Sequence, residues 1–174
     1  MQAAKDTFLK TLASRLAVLN PNRTVTVDGA SRPAVLAVEN ETAMPVNTVL
    51  HPGNPTAGLP GALLEAFLLN WEGATYVMPE GRLMQVDCKA IYGSKGTDGM
   101  METDRGRIVN AMDLELRRIS EPRQAAKIDY TQDPPAALGS NIFWTQPIFD
   151  DPGGANGVLM RAVKIRVFFF PEVG

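Results

Sequence analysis

Apolar positions along this chain recur with two different periods, and the switches between them mark out the elements. Between Asp6 and Leu19 they fall at Phe8, Leu9, Leu12, Leu16 and Leu19, the three- and four-residue steps of one helical face. Asp6 is placed to cap that helix, and Asn20-Pro21-Asn22 ends it, because proline cannot continue the hydrogen-bond ladder. Two β-rich runs follow, residues 24–27 and 32–38, separated by the turn residues Asp28-Gly29, and they read as strands that are candidates for pairing. Met84, Val86, Cys88, Ala90 and Tyr92 then alternate with Gln85, Asp87, Lys89 and Ile91, the period of a half-buried strand. A second helix is predicted from Thr103 or Asp104, with Ile108, Val109, Met112, Leu116 and Ile119 as its apolar face and Pro122 at its end. Within it, the four-residue spacing of Asp113 and Arg117 places them together on the exposed side. Residues 141–149 read as a strand with Pro147 at an edge or bulge. In residues 159–170, Val163, Ile165, Val167 and Phe169 alternate with Lys164, Arg166 and Phe168, which predicts a final strand.

The remaining segments lack a period. Residues 40–61 carry Pro45, Pro52, Pro55 and Pro60 with Gly53, Gly58 and Gly61, the composition of a long loop or arm. A stretch of that length inside a compact domain is usually functional, mobile or held by another chain. Pro45, His51 and Pro55 are therefore candidate contacts to a partner, with a plain surface loop as the alternative. Residues 61–77 are ambiguous, since Ala62 to Leu69 favours helix by propensity while Trp71 to Val77 favours an extended chain. A short helix or strand feeding a hairpin arm, turned at Pro79-Glu80-Gly81, is expected there. Residues 93–99 and 150–157 read as loops, and residues 125–139 as a polar region broken by Pro134-Pro135. The order is helix, two strands, arm, strand, helix, strand, strand, with no internal repeat and no linker between two cores. It predicts one domain over residues 1–174 of the α+β class, a two-layer sandwich of mostly antiparallel sheet with both main helices on one face and long loop arms.

Composition narrows the function more than the fold. A chain of 174 residues is long enough for an unstapled core, and 45% hydrophobic with 21% charged residues excludes wholesale disorder. A formal charge of −2, with Lys and Arg scattered, lacks the footprint of a protein built to hold a phosphate backbone. No apolar stretch approaches the ~20 residues that span a bilayer. The first residues, Met1-Gln2-Ala3-Ala4-Lys5-Asp6, lack the apolar core of a signal peptide, so folding in a cytoplasm with no membrane partner is expected.

Candidate chemistry is sparse. Ser-His-Asp or Cys-His catalysis needs an imidazole, and the single histidine, His51, sits in the proline-rich arm with no nucleophile motif. Cys88 lies in an alternating apolar run and reads as a small buried hydrophobe. Zinc needs three or four converging ligands, which one cysteine and one histidine cannot supply without carboxylates. Asp150-Asp151 lacks the alternating acids of a calcium loop and reads as turn residues. Gly93-Ser94-Lys95-Gly96-Thr97 has the residue types of a phosphate loop without its spacing, which leaves Lys95 as a possible contact residue. No catalytic, cofactor-binding or metal-binding residue is assigned, and the expectation is assembly rather than an enzyme. Arg105, Arg107, Arg117 and Arg118, followed by Arg123 and Lys127, form the most basic stretch, either a solvated helix face or a salt-bridging surface toward a neighbouring subunit. Phe168-Phe169-Phe170-Pro171 makes the last strand apolar on both faces at its end, so Phe168 and Phe170 pack against another element or another subunit.

Taken as an order of elements, the chain resembles the tail-terminator proteins of tailed phages. The likeness lies in the N-terminal helix followed at once by a strand of the type Pro33-Ala34-Val35-Leu36-Ala37-Val38-Glu39, and then a strand over residues 83–92. A helix over residues 104–119 and a closing strand pair ending in Val163-Lys164-Ile165-Arg166-Val167-Phe168 complete it. It spans nearly the whole chain and rests on order and pattern rather than on a motif. The resemblance implies a structural virion protein at the head-to-tail junction, assembled in the host cytoplasm. Its copies would form a ring, commonly a hexamer, that caps the tail tube and stops its growth. The implied partners are further copies of itself, the tail tube protein and a head-tail connector or neck protein, with nucleic acid present only as DNA passing through the ring lumen. The long arm and residues 125–139 exceed what a small terminator needs, and another neck, head-completion or minor tail protein is the alternative.

Overall fold

The computed structural model describes residues 1–38, 64–77, 82–96, 102–155 and 157–172. Helix α1 (Gln2–Leu19) buries Ala4, Thr7, Phe8, Leu12 and Leu16, which includes Phe8, Leu12 and Leu16 of the predicted face, while Leu9 is half-buried and Leu19 at the helix end is exposed. It starts earlier than expected, because Gln2-Ala3-Ala4-Lys5 are good helix formers. Asp6 therefore does not cap it, and its carboxylate instead accepts a hydrogen bond from the Gln2 side chain at 2.8 Å.

Strands β1 (Thr24–Val27) and β2 (Ala30–Pro33) form a separate two-stranded hairpin. The turn residues Asp28 and Gly29 have φ of +51° and +77°, the primed geometry that Asp-Gly favours between twisted strands. The second apolar run is thus divided. Its first residues pair back onto β1, Pro33 has no N–H to carry the ladder on, and Ala34 N–H goes to Arg23 O at 3.0 Å. Only β3 (Val35–Val38) joins the main sheet.

That sheet also contains β4 (Phe67–Tyr76), β5 (Met84–Ser94), β6 (Gln124–Asp129), β7 (Ala136–Trp144), β8 (Ile148–Phe149), β9 (Gly153–Ala155) and β10 (Val158–Phe169). Its order is β3-β4-β5-β10-β7-β6, with β8 and β9 also paired to β10. The β3–β4 pair is parallel and the rest are antiparallel. The α+β class with two helices on a mostly antiparallel sheet is the fold the sequence predicts. Several local readings change. Residues 64–66 turn, and of the two alternatives left open for this stretch Phe67-Leu68-Leu69 take the strand. The polar region from 125 to 139 holds β6 and the start of β7, the 141–149 run is two strands broken at Thr145 to Pro147, and the 150–157 loop contains β9. The last strand is central, paired with β5 from Leu159↔Ser94 to Phe169↔Met84. Gly93 is required at that seam, since a Cβ there would stand 2.6 Å from Leu159 O.

Val86, Cys88, Ala90 and Tyr92 of β5 and Val163, Ile165, Val167 and Phe169 of β10 are buried in one core with the apolar faces of α1 and of helix α2 (Glu102–Ile119). The sheet curls around α1. Phe8 meets Trp71 of β4 edge-on at 5.7 Å and Trp144 of β7 at 5.2 Å, so one ring ties strands on both sides of the sheet's centre. At the β6 edge the Thr7 hydroxyl accepts from Ile128 N–H at 2.9 Å and donates to Ile128 O at 3.3 Å. Arg15 donates to Gln124 O at 3.2 Å and Pro122 O at 2.8 Å. Side chains of α1 thereby satisfy backbone groups that an edge strand would otherwise present to a partner.

Candidate functional site

Three polar networks hold the elements in place. In the first, Asp113 of α2 accepts from the Tyr92 hydroxyl of β5 and pairs with Arg161 Nη2 of β10 at 2.8 Å. Arg161 also donates to Asp150 O at 2.7 Å. The Asp113 and Arg161 side chains are only 15% and 14% exposed, so the pair is largely removed from water. Burial and then the adjacent Asp113 carboxylate drive the Tyr92 phenol far above its ordinary range, which keeps it a proton donor to that carboxylate. The expected Asp113–Arg117 pair is therefore not formed. Asp113 faces inward, and Arg117 lies over the Phe149 ring at 4.7 Å.

In the second network Arg23 pairs with Glu115 of α2, and Asn20 Nδ2 donates to the same carboxylate at 2.7 Å. Arg23 Nη1 also donates to Glu65 O at 3.2 Å. Glu65 has φ of +65°, a strained value for a side-chain-bearing residue. Its N–H donates to Gly93 O at 2.9 Å and its carboxylate accepts from Ser94 Oγ at 2.9 Å, and the two bonds hold it there.

The third network removes Lys127 from the basic surface expected of it. Its side chain is 2% exposed, and Nζ donates to Phe170 O at 2.6 Å and pairs with Glu172 at 3.2 Å. Glu172 is pushed down to about 2, chiefly by the hydrogen bond from the N-terminal amino group at 2.7 Å.

The other candidate residues are dispersed. Lys95, Arg107 and Arg118 are exposed, and Arg105 donates to Gly157 O at 2.6 Å. Arg105 and Arg117 lie roughly 18 Å apart along α2, too far for one contact. Phe168 is half-buried and faces Phe143 of β7 across the strand pair, while Phe170 is 47% exposed. Pro45, His51 and Pro55 lie outside the described residues. Among the described residues, no buried side-chain nitrogen or oxygen lacks a partner, no three His, Cys, Asp or Glu side chains converge, and no helix is long and apolar enough to cross a membrane.

What sequence reasoning missed is an open apolar groove of about 890 Å³ at the β3 edge. Its walls come from α1 (Leu9, Ala13, Ala17), from the β1–β2 hairpin (Val27, Pro33) and from β3. Val35, Leu36 and Ala37 all line it although neighbouring side chains in a strand point to opposite faces. The groove therefore runs along the strand's edge, where β3 has no sheet neighbour among the described residues. Its two charged lining residues, Lys10 and Arg32, are both basic, and Lys10 Nζ stands 6.0 Å from the ring centroid of Tyr130. The signal in sequence was the break at Pro33-Ala34, which separates the hairpin from β3 and opens the space between them. No protein-family model matches the chain, and no curated protein matches it.

Proposed function

We propose that the chain is a structural virion protein of the tail-terminator kind, acting by assembly into a ring that caps a tail tube and joins it to the head or neck. The observation that carries this reading is the contrast between interior and edge. Among the described residues buried polar side chains are partnered within the chain, while the β3 edge carries an open apolar groove with basic residues beside it. Groups already saturated by their neighbours are poor acids, bases or ligands, whereas an unpaired sheet edge with apolar surface gains free energy when another chain covers it. Element order supports the same reading. The partners are further copies of the chain in a ring, probed first as a hexamer, the tail tube protein and a connector, with DNA only in the lumen.

Light scattering on the purified protein should give a multiple of one chain's mass. Electron microscopy of particles made without it should show tails of uncontrolled length. A strict monomer whose loss leaves tail length unchanged would overturn the reading. Crosslinks to portal-side proteins, with none to the tube, would replace it with a neck or head-completion role.

A further inference from the structure

Strands β3 and β8 are the two ends of the same rows across the sheet. One row runs Ala37, Leu69, Ala90, Val163, Phe149, and the next Val38, Asn70, Lys89, Lys164, Ile148. Among the described residues each terminal strand pairs on one side only, β3 with β4 and β8 with β10. The pairing senses make β8 antiparallel to β3. The two ends are separated by four strand spacings, roughly 19 Å along the sheet, so they cannot meet within one copy.

Their side chains are complementary. The β3 end offers the apolar groove with Lys10 and Arg32. At the other end Ile148 is 58% exposed and is followed by the exposed Asp150 and Asp151. That segment is rigidly presented, with Asp150 N–H on Ala162 O at 3.0 Å and Phe149 beneath Arg117.

We propose that the subunit contact is head-to-tail, with the β8 end of one copy, Ile148 to Asp151, seated at the β3 groove of the next. This inference rests on the ring reading and names its interface. A copy related by rotation about an axis along the strands brings β8 beside β3 in the antiparallel sense. Ile148 then enters the groove, and Asp150 and Asp151 face Lys10 and Arg32. A two-fold dimer built on either end would instead set Lys10 and Arg32, or Asp150 and Asp151, against their own copies, which like charge disfavours. The charges therefore select a heterologous contact, the kind that generates rings when its rotation closes.

Charge reversal tests it. K10E/R32E reverses one end and D150K/D151K the other, all at exposed positions, and circular dichroism should confirm that both variants fold like the parent. Sedimentation should show each variant alone reduced to single chains. An equimolar mixture should recover the parent's mass, because each reversed end then meets its complement, and so should one chain carrying all four changes. If the parent forms a ring and the variants keep its mass, or if mixing recovers nothing, this interface is overturned while the ring reading stands. A parent that is a single chain under every condition overturns both.

Discussion

Replacing Asp113 with alanine tests whether the α2 clamp is the main polar support of the fold. The change strands Arg161, whose side chain is 14% exposed, and removes the acceptor of a Tyr92 hydroxyl on a fully buried residue. Removing one partner of a buried ion pair costs about 3–5 kcal/mol, and an unsatisfied buried hydroxyl about 1–3 kcal/mol. Because one carboxylate serves both donors, the costs overlap, and about 4–5 kcal/mol is expected in total. Against a typical stability of about 5–15 kcal/mol that is a large fraction. The sharper expectation concerns sign. Tyr92→Phe should destabilise the parent by about 1–2 kcal/mol, yet stabilise the Asp113→Ala variant, since it deletes a hydroxyl that has lost its acceptor. Urea titration followed by fluorescence of Trp71 and Trp144 reads all four corners of the cycle. Additive effects, or an Asp113→Ala cost below about 1 kcal/mol, would refute the clamp.

Four further outcomes are expected. Phe8→Ala removes a fully buried ring packed edge-on against both tryptophans and should cost about 4–5 kcal/mol by urea titration, with Phe8→Leu costing less than half of that. Thr7→Val keeps the shape but strips the partner from Ile128 N–H, so it should cost about 1–3 kcal/mol and speed hydrogen exchange at that amide. Glu172 titrates near 2 in the folded chain against an ordinary 4.5, so its stabilisation is complete above about pH 4.5 and is lost as pH falls toward 2. Its side chain is 39% exposed, so solvent screening limits the effect to about 1 kcal/mol, and Glu172→Gln should flatten that limb of an acid titration. Burial pushes the Cys88 thiol well above its usual range, so a thiol reagent should label it only as fast as the chain opens, and immediate labelling in native buffer would contradict its place in the core.

The elements that were legible are those whose burial has one clean period. Helix α1 with Phe8, Leu12 and Leu16, helix α2 with Val109, Met112 and Leu116, and the alternating strands β5 and β10 each bury one face, so the period reports the structure directly. Phe67-Leu68-Leu69 defeated the same rule because all three are buried, and a strand covered on both faces shows no alternation to distinguish it from helix. Strand β6 was hidden by Lys127, a charged residue at an inward position that is tolerable only because Phe170 O and Glu172 receive its amine. Spacing suggested Arg117 as the partner of Asp113, whereas the actual one, Arg161, lies 48 residues away and is delivered by the β5–β10 pairing. The groove was illegible for a related reason. It is made by three elements that meet only after the hairpin has separated from β3.

How the sheet ends are treated bears on what kind of assembly this chain supports. An unpaired strand edge invites growth, and proteins that must not grow uncontrollably blunt it. Here α1 does so selectively, since Thr7 and Arg15 reach the backbone of β6. Beside β3 the same helix contributes small side chains, Ala13 and Ala17, which leave a groove in place of a seal. One helix thus covers backbone groups at one edge and borders an apolar groove at another. Under the proposed head-to-tail contact, growth through β3 would need a partner that offers a short strand with an apolar side chain and acids beside it, as the β8 end of the chain does. A fixed, antiparallel contact between such short strands carries a defined rotation from copy to copy, and the curl of the sheet makes a flat open array an unfavourable way to satisfy it. A closing rotation is what a terminator needs, because a ring leaves neither edge free for another copy.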